Sequence, residues 1–299
     1  MKIVDSFMFF NEKDIAYLRI KELYDSVDYF IINELSTNHK GVPREAIFWR
    51  DQRLEKFKDK IRYKFISVDH RYDSLFNIHF KDSSHFIGSW AEHEQRLRLI
   101  DQIEELNLEE KDIVLFSDCD EIPNKNIFNQ LNSHEVVALN QMFFVHYINI
   151  YTNKNVTGTI SVRYNKLKSI NDNTKNLGLQ VLRRHKDYIP RLENGGWHYS
   201  YMGGAKTVSE KVISIYEGNP NSSLKNENES QKLINDTIKS NRSPFSSEPL
   251  NILDFNNKEM FIQFITAQSG NWIKNAARYQ VYPDIIEKEK EKHKILIYE

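Results

Sequence analysis

Ile113-Val114-Leu115-Phe116-Ser117-Asp118-Cys119-Asp120-Glu121-Ile122-Pro123 is the stretch from which the fold is read. Four apolar residues and a serine run into three carboxylates and stop at a proline. A short apolar run bounded by a turn signal reads as a buried strand, central and parallel. Asp118 and Asp120 lie two apart, so at a strand end their side chains can point the same way. Two hard oxygen ligands at the carboxyl end of a sheet strand suit a divalent cation and a phosphate-bearing ligand. The competing reading is a surface turn, because Asp-x-Asp recurs by chance.

The chain ahead of this stretch alternates. Ile3 to Phe10 is apolar and aromatic around Asp5 and Ser6 and reads as a first strand. Asn11 is a good N-cap, with Asp14 near the positive end of the helix that follows. Ala16, Ile20, Leu23, Tyr24 and Val27 recur at helical spacing, and Tyr29 to Ile32 is a second buried strand ending at Asn33-Glu34. That opening is a βαβ unit. Ser36 to Pro43 is loop chemistry, Arg44 to Lys58 is expected to be helical, and Ile61 to Val68 alternates like a strand. Asp69 to Ser89 is polar and histidine-bearing with no period, a long loop of the kind that is functional or disordered. Trp90 to Leu106 reads as a helix with Leu97, Ile100, Ile103 and Leu106 on one face. Alternation of this kind predicts a mostly parallel, Rossmann-like α/β sheet flanked by helices. Neither Gly-x-Gly-x-x-Gly nor Gly-x-x-x-x-Gly-Lys occurs, which disfavours a dinucleotide-binding oxidoreductase and a P-loop enzyme.

After Pro123 the pattern changes. Val136–Leu139, Met142–Val145 and Thr157–Tyr164 read as strands, and Gly195-Gly196-Trp197-His198-Tyr199-Ser200 is a second conspicuous cluster. A helix is expected from Lys206 to Tyr216, a loop or lid over Asn219–Glu229, and helices over Ser230–Ser240, Lys258–Trp272 and beyond Pro283. With no internal repeat and no clean linker, the expectation is one domain over residues 1–299. It divides into an α/β half (1–123), a second half (124–218) and a helical C-terminal part (219–299).

The bulk numbers set limits. At 299 residues, 40% hydrophobic and 28% charged, the chain can bury an ample core. A net charge of -1 gives no basic field, so nucleic acid is not expected as a partner. The single cysteine, Cys119, excludes an internal disulfide and points to a reducing compartment. The charged start does not resemble a signal peptide, and no apolar run approaches the ~20 residues of a transmembrane segment. The expected location is cytoplasmic.

Two clusters can share one site: Asp118, Asp120 and Glu121, and His198. An aspartate pair plus imidazole, with positions left for water and phosphate oxygens, suits Mn²⁺ or Mg²⁺. Paired glycines ahead of Trp197-His198 let backbone approach a ligand closely. Taken singly, His198 reads equally as a structural histidine and Trp197 as core. Ser-His-Asp hydrolysis lacks a nucleophile-elbow motif, and flanking carboxylates blunt Cys119 as a nucleophile.

Three ordered blocks carry a family resemblance. Asp5-Ser6-Phe7-Met8-Phe9-Phe10-Asn11-Glu12, with Leu18-Arg19, Leu23, Val27-Asp28, Glu34, Thr37 and Gly41 downstream, resembles the opening of glycosyltransferase family 17. This is the family of β-1,4-mannosyl-glycoprotein 4-β-N-acetylglucosaminyltransferase. Ser117 to Pro123 resembles its Asp-x-Asp-Glu-Ile-Pro signature, preceded by Gln95-Arg96, and Gly196 to Ser200 with Lys211 resembles its Gly-Trp-His-x-Ser block. The resemblance implies a GT-A-type, inverting glycosyltransferase using a nucleotide sugar, UDP-GlcNAc in the best-known members, with Mn²⁺ or Mg²⁺. It implies Asp118 and Asp120 as holders of the metal on the donor diphosphate, Asp120 the more direct, and His198 as third ligand or phosphate contact. Lys211 and Arg96 would neutralise the diphosphate, with Trp197 beside the donor. Phe10, Asn11 and Glu34 end the first two strands, where base and ribose should sit. The general base should be a carboxylate facing the donor sugar: Glu193 is the first candidate and Glu121 the second. The chain is expected to be without the membrane anchor and cysteines of the animal enzymes, so the expected acceptor is a surface polysaccharide or lipid-linked glycan as readily as an N-glycan. Two rival readings share the carboxylates, a catalytically silent nucleotide- or glycan-binding module and a metal-dependent phosphohydrolase or nucleotidyltransferase.

Overall fold

A computed structural model describes residues 1–39, 41–68, 90–148, 150–214, 226–243 and 248–252. Strand β1 (Ile3–Phe9) lies between β2 (Tyr29–Leu35) and β4 (Ile113–Asp118), parallel to both, with β3 (Ile61–Ile66) parallel outside β2. The reason is the alternation of apolar side chains, which feeds two cores at once. Phe7 and Phe9 of β1, with Ile113 and Leu115 of β4, pack under helix α1 (Lys13–Leu23). Val4, Val114 and Phe116 face the other way, onto Leu97, Ile100 and Ile103 of α2 (Trp90–Glu104).

The order β3-β2-β1-β4 reverses between β1 and β4. Such a reversal opens a crevice beyond the carboxyl ends of the strands, where ligands of α/β sheets bind. Phe10 to Glu12 leave β1 there, and Asp118 to Asp120 leave β4; in the register, Met8 lies opposite Asp118. The expected mostly parallel α/β arrangement is present in this half.

The second half adds strands to β4. β8 (Val156–Arg163), β6 (Val136–Val145), β7 (Ile150–Thr152) and β10 (Leu250–Ile252) follow one another antiparallel. β9 (Arg191–Ser200) runs parallel to β6 and antiparallel to the short β5 (Glu121–Pro123). The short α3 (Phe128–Leu131) follows β5, and α4 (Tyr164–Asn173) and α5 (Gly178–Arg184) lie between β8 and β9. Helices α6 (Gly204–Ser214) and α7 (Glu227–Ser240) pack on each other through Val208, Val212 and Ile234.

Several local expectations are corrected. The helix expected over Arg44 to Lys58 is two 3₁₀ turns, Phe48–Arg50 and Gln52–Phe57, separated at an extended Asp51. The buried Glu34 carboxylate takes the Ile47 and Phe48 N–H groups, which holds the start of the first turn in place. Asn11 does not cap α1; Glu12 stands at that position with its carboxylate turned back to the Phe10 and Asn11 N–H groups. Val136–Leu139 and Met142–Val145 form one strand, with a register irregularity between Ala138 and Asn140. The loop Asp69–Ser89, the helices expected over Lys258–Trp272 and after Pro283, and positions 219–225 of the expected lid lie outside the described residues. Among the described residues no helix is long and apolar enough to cross a membrane.

Candidate active site

The turn between β4 and β5 is shaped from beneath by Arg19. Its helical spacing puts Arg19 on the apolar face of α1, where it is fully buried and pairs with the equally buried Asp5 at 2.6 Å. The guanidinium donates to the carbonyl oxygens of Asp118 (2.8 Å), Glu121 (3.1 Å) and Cys119 (3.3 Å), and to Ser117 Oγ (2.7 Å). A planar five-donor fork can satisfy a tight turn in this way, and an ammonium cannot. Cys119 is buried, and burial pushes its thiol well above the ordinary range, with Glu12 adding to the effect. It has no use as a nucleophile.

The two aspartates of the turn have different surroundings. Asp118, a third exposed (33%), is bound by Arg183 at 2.5 Å and approached by Arg96 at 3.4 Å. Burial raises its carboxyl, but Arg183 and then Arg96 outweigh it and hold Asp118 at about 2. Asp120, 9% exposed, meets Lys211 through Oδ2 at 3.0 Å and His198 Nε2 through Oδ1 at 3.6 Å. Against the cost of burial, Lys211 and then His198 keep it well below the usual carboxylate range, and Lys211 is raised in turn by Asp120 and Glu12.

His198 reaches this position through strand pairing. Glu121 lies opposite His198 in the β5–β9 register, and the Tyr199 N–H donates to the Asp120 carbonyl at 2.9 Å. The two strands approach so closely at Gly196 that an added Cβ would lie 2.1 Å from the Ile122 oxygen, and φ there is +129°. Only glycine fits. The His198 ring packs edge-on against Phe143 at 5.1 Å.

A cavity of about 230 Å³ lies over these groups, lined by Phe10, Glu12, His39 and Gln95 at one side and Asp118, Asp120, His198 and Lys211 at the other. The Phe10 ring carries the Arg44 guanidinium at 4.3 Å from its centroid, and its distance to the His39 ring is 6.4 Å. Phe10, Asp118, Asp120, His198 and Lys211 are therefore together. Others among the expected residues stand apart. Arg96 lies behind Asp118, bonded to Glu92 (2.7 Å) and Gln180 (2.9 Å). Glu34 is buried behind the wall, tied to Arg44 at 3.0 Å and to the Tyr63 hydroxyl at 2.8 Å. Trp197 is core, 6% exposed. Asn11 lines a neighbouring cavity. Glu193 is exposed, accepts from Asn140 Nδ2 at 2.6 Å and does not line the cavity. Glu121 is fully buried and held by both Arg183 nitrogens at 2.8 Å.

Sequence reading missed Arg183. It sits in α5, a segment with no motif, and its partners are 62 and 65 residues away. Arg19 did carry a signal, being a charge set among the buried residues of α1.

A divalent cation is implied by the donor types, and the geometry tests it. Among the described residues no three carboxylate, histidine or cysteine side chains are grouped to enclose an ion. Asp120 Oδ1 and His198 Nε2 do face each other, with Oδ2 left to Lys211. One hard oxygen and one imidazole nitrogen, completed by diphosphate oxygens and water, fit Mn²⁺ or Mg²⁺. Asp118, expected as a second ligand, has Oδ2 bound to Arg183 at 2.5 Å and Oδ1 at 3.4 Å from Arg96.

The glycosyltransferase family 17 model matches residues 1–234. No curated protein matches the sequence. Among solved structures, mouse xyloside xylosyltransferase 1 in its apo form is similar at 10% identity and a TM-score of 0.31, over 63% of this chain and 76% of that one. Enterococcus italicus Csm6 is similar at 12% identity and a TM-score of 0.23, over 98% of this chain and 64% of that one. Both likenesses are too distant to carry an argument, so the fold rests on the topology described above. The family match covers the parallel half, the Asp118–Glu121 turn, the His198 strand and Lys211, and the chain belongs to glycosyltransferase family 17.

Proposed function

We propose that this chain moves a sugar from a nucleoside diphosphate donor to a hydroxyl of a glycan or glycolipid, with inversion at the anomeric carbon. The family resemblance favours UDP-GlcNAc as donor. One observation carries the reading: Asp120, His198 and Lys211 converge beside Asp118 at the switch point of the sheet, where a diphosphate is expected.

The nucleobase is assigned to the Phe10 and His39 side of the cavity and the diphosphate to the Asp120 side. Lys211 would neutralise charge as the diphosphate departs, and in a site shielded from water such a preset cation is worth several kcal/mol at about 100-fold or more in rate. Asp118, kept ionised by Arg183, would accept hydrogen bonds from donor hydroxyls. Bound Mn²⁺ or Mg²⁺ would be held by Asp120 and His198 and would supply Lewis-acid stabilisation of the leaving group.

The test is a donor screen with Mn²⁺ that reads UDP or GDP release across common nucleotide sugars. Asp120→Ala is expected to lower release from the best donor by at least about 100-fold. Near-normal turnover of that variant removes the assignment. Release of phosphate or pyrophosphate in place of a nucleoside diphosphate would favour a phosphohydrolase or nucleotidyltransferase.

A further inference from the structure

The donor cavity has a neighbour. A second cavity of about 220 Å³ is lined by the start of α1 and by the segment leading into α6, with Asn11, Ile15, Met202 and Thr207 among its walls. Glu12, Asp120, Tyr201 and Lys211 line both cavities. They form a shared wall.

We propose that the second cavity is the acceptor subsite, that it takes one saccharide ring, and that Glu12 is the general base of the transfer. The proposal rests on the donor reading of the first cavity. Transfer requires two substrates to meet at one boundary, and these are two cavities of nearly equal size that meet at one. Its volume is below the ~300–1,000 Å³ of sites for drug-sized ligands, which suits a single ring. The lining is mixed. Ile15 and Met202 offer apolar surface to a ring face, while Asn11 and Thr207 offer polar atoms to its hydroxyls. Asn11 Oδ1 is buried and accepts no hydrogen bond among the described residues. A buried acceptor of that kind calls for a donor, and a sugar hydroxyl is one.

The shared wall holds two carboxylates. Asp120 is occupied by Lys211 and His198. Glu12 is held differently: Oε2 accepts from the N–H groups of Asn11 (3.1 Å) and Phe10 (3.2 Å), which fixes the carboxylate. Oε1 stays 3.8 Å from Lys211, beyond hydrogen-bond distance, at the boundary of the two cavities. Lys211 thus stands between Glu12 and the diphosphate side. In the step, the acceptor oxygen forms a bond to the anomeric carbon as the bond from that carbon to the diphosphate oxygen breaks. The bonding pair leaves with the nucleoside diphosphate, and the acceptor proton passes to Glu12.

Saturation-transfer difference NMR on the full chain with Mg²⁺ and UDP tests the site, with the methyl α- and β-glycosides of glucose, galactose, mannose and N-acetylglucosamine as probes. At least one glycoside is expected to receive saturation. Thr207→Trp, which fills the second cavity, should lower that signal at least fivefold while the uracil signals persist. Should Thr207→Trp lose the uracil signals as well, Asn11→Ala decides, with a loss of threefold or more expected. Absence of uracil signals from the unaltered chain overturns the donor reading. Uracil signals without any glycoside signal, or a glycoside signal that survives both substitutions, overturn the acceptor site alone. For the base, Glu12→Gln should lower kcat for UDP release from the best donor at least 100-fold and change KM less than threefold. A near-normal kcat, or an effect confined to KM, overturns that role.

Discussion

Arg19 is the residue on which the geometry of the Asp118–Glu121 turn depends, and its removal can be worked through. Arg19→Met keeps most of the side chain's length and apolar contact but deletes the guanidinium. Asp5, fully buried, loses the partner held at 2.6 Å. Stranding one member of a buried ion pair costs about 3–5 kcal/mol. The Asp118 carbonyl loses its donor at 2.8 Å and Ser117 Oγ loses one at 2.7 Å, while the Glu121 carbonyl keeps the Thr159 hydroxyl at 2.9 Å. Each buried acceptor left without a partner adds about 1–3 kcal/mol. The total is at least about 5 kcal/mol, comparable with the entire stability of a marginal domain at about 5–15 kcal/mol. Arg19→Met is therefore expected to unfold at much lower urea concentration or to fail to accumulate. Asp5→Leu/Arg19→Met separates the two contributions. Replacing a buried pair by apolar residues is near neutral or better, so the share due to Asp5 returns. The share of the Asp118 carbonyl and Ser117 Oγ stays lost, about 2 kcal/mol, and the turn stays unbraced. Equilibrium unfolding in urea and calorimetric titration with UDP and Mn²⁺ read the two effects. The double variant should recover most of the stability while binding UDP at least tenfold more weakly than the unaltered chain. An Arg19→Met chain within about 1 kcal/mol of the unaltered one, or a double variant with normal UDP affinity, would refute the reasoning.

Two further outcomes follow from the packing and the charges. Gly196→Ala places a Cβ 2.1 Å from the Ile122 oxygen at φ +129°, and the strain and overpacking together should destabilise the chain by at least about 3 kcal/mol in urea; a loss below about 1 kcal/mol would mean that β5 and β9 are not in close contact. His146 is 2% exposed, and burial depresses its imidazole to about 4. The unfolded chain takes up this proton near pH 6.5 while the folded chain resists it, so stability falls as pH drops below about 6.5 and levels off below about 4. Between pH 7 and 5 the loss from this one group is about 2 kcal/mol. His146→Gln should flatten the dependence by that amount, leaving the share of His93, which burial and then Arg96 also depress to about 4; an unchanged slope would show that His146 is not shielded.

Much of the fold could be read in advance because a strand buried on both faces announces itself locally. Ile3–Phe9, Tyr29–Leu35 and Ile113–Asp118 are short apolar runs whose neighbours could only be helices, and α1 and α2 carry their own periods. Where local signals compete, reading failed. The Arg44–Lys58 segment is expected to be helical, yet Glu34, from another strand, binds the backbone N–H groups of Ile47 and Phe48. Asn11 has the chemistry of a cap, yet Glu12 stands at the cap position.

By itself the sequence determined the βαβ opening, the carboxylate turn at a strand end and the Gly196–Ser200 block, since each is a property of consecutive residues. Only the tertiary structure decided what each charged group does. Asp118 and Asp120 are near neighbours in the chain, but one is answered by Arg183, 65 residues on, and the other by Lys211, 91 residues on. Glu193 and Glu121 suit proton transfer by type, but the folded chain leaves the first on an exposed surface and locks the second against Arg183. Glu12, part of an opening motif, stands instead on the wall between two cavities. The physical reason is the same in each case. A carboxylate's character is set by the charges and donors within a few ångströms, and strand pairing supplies those from distant parts of the chain.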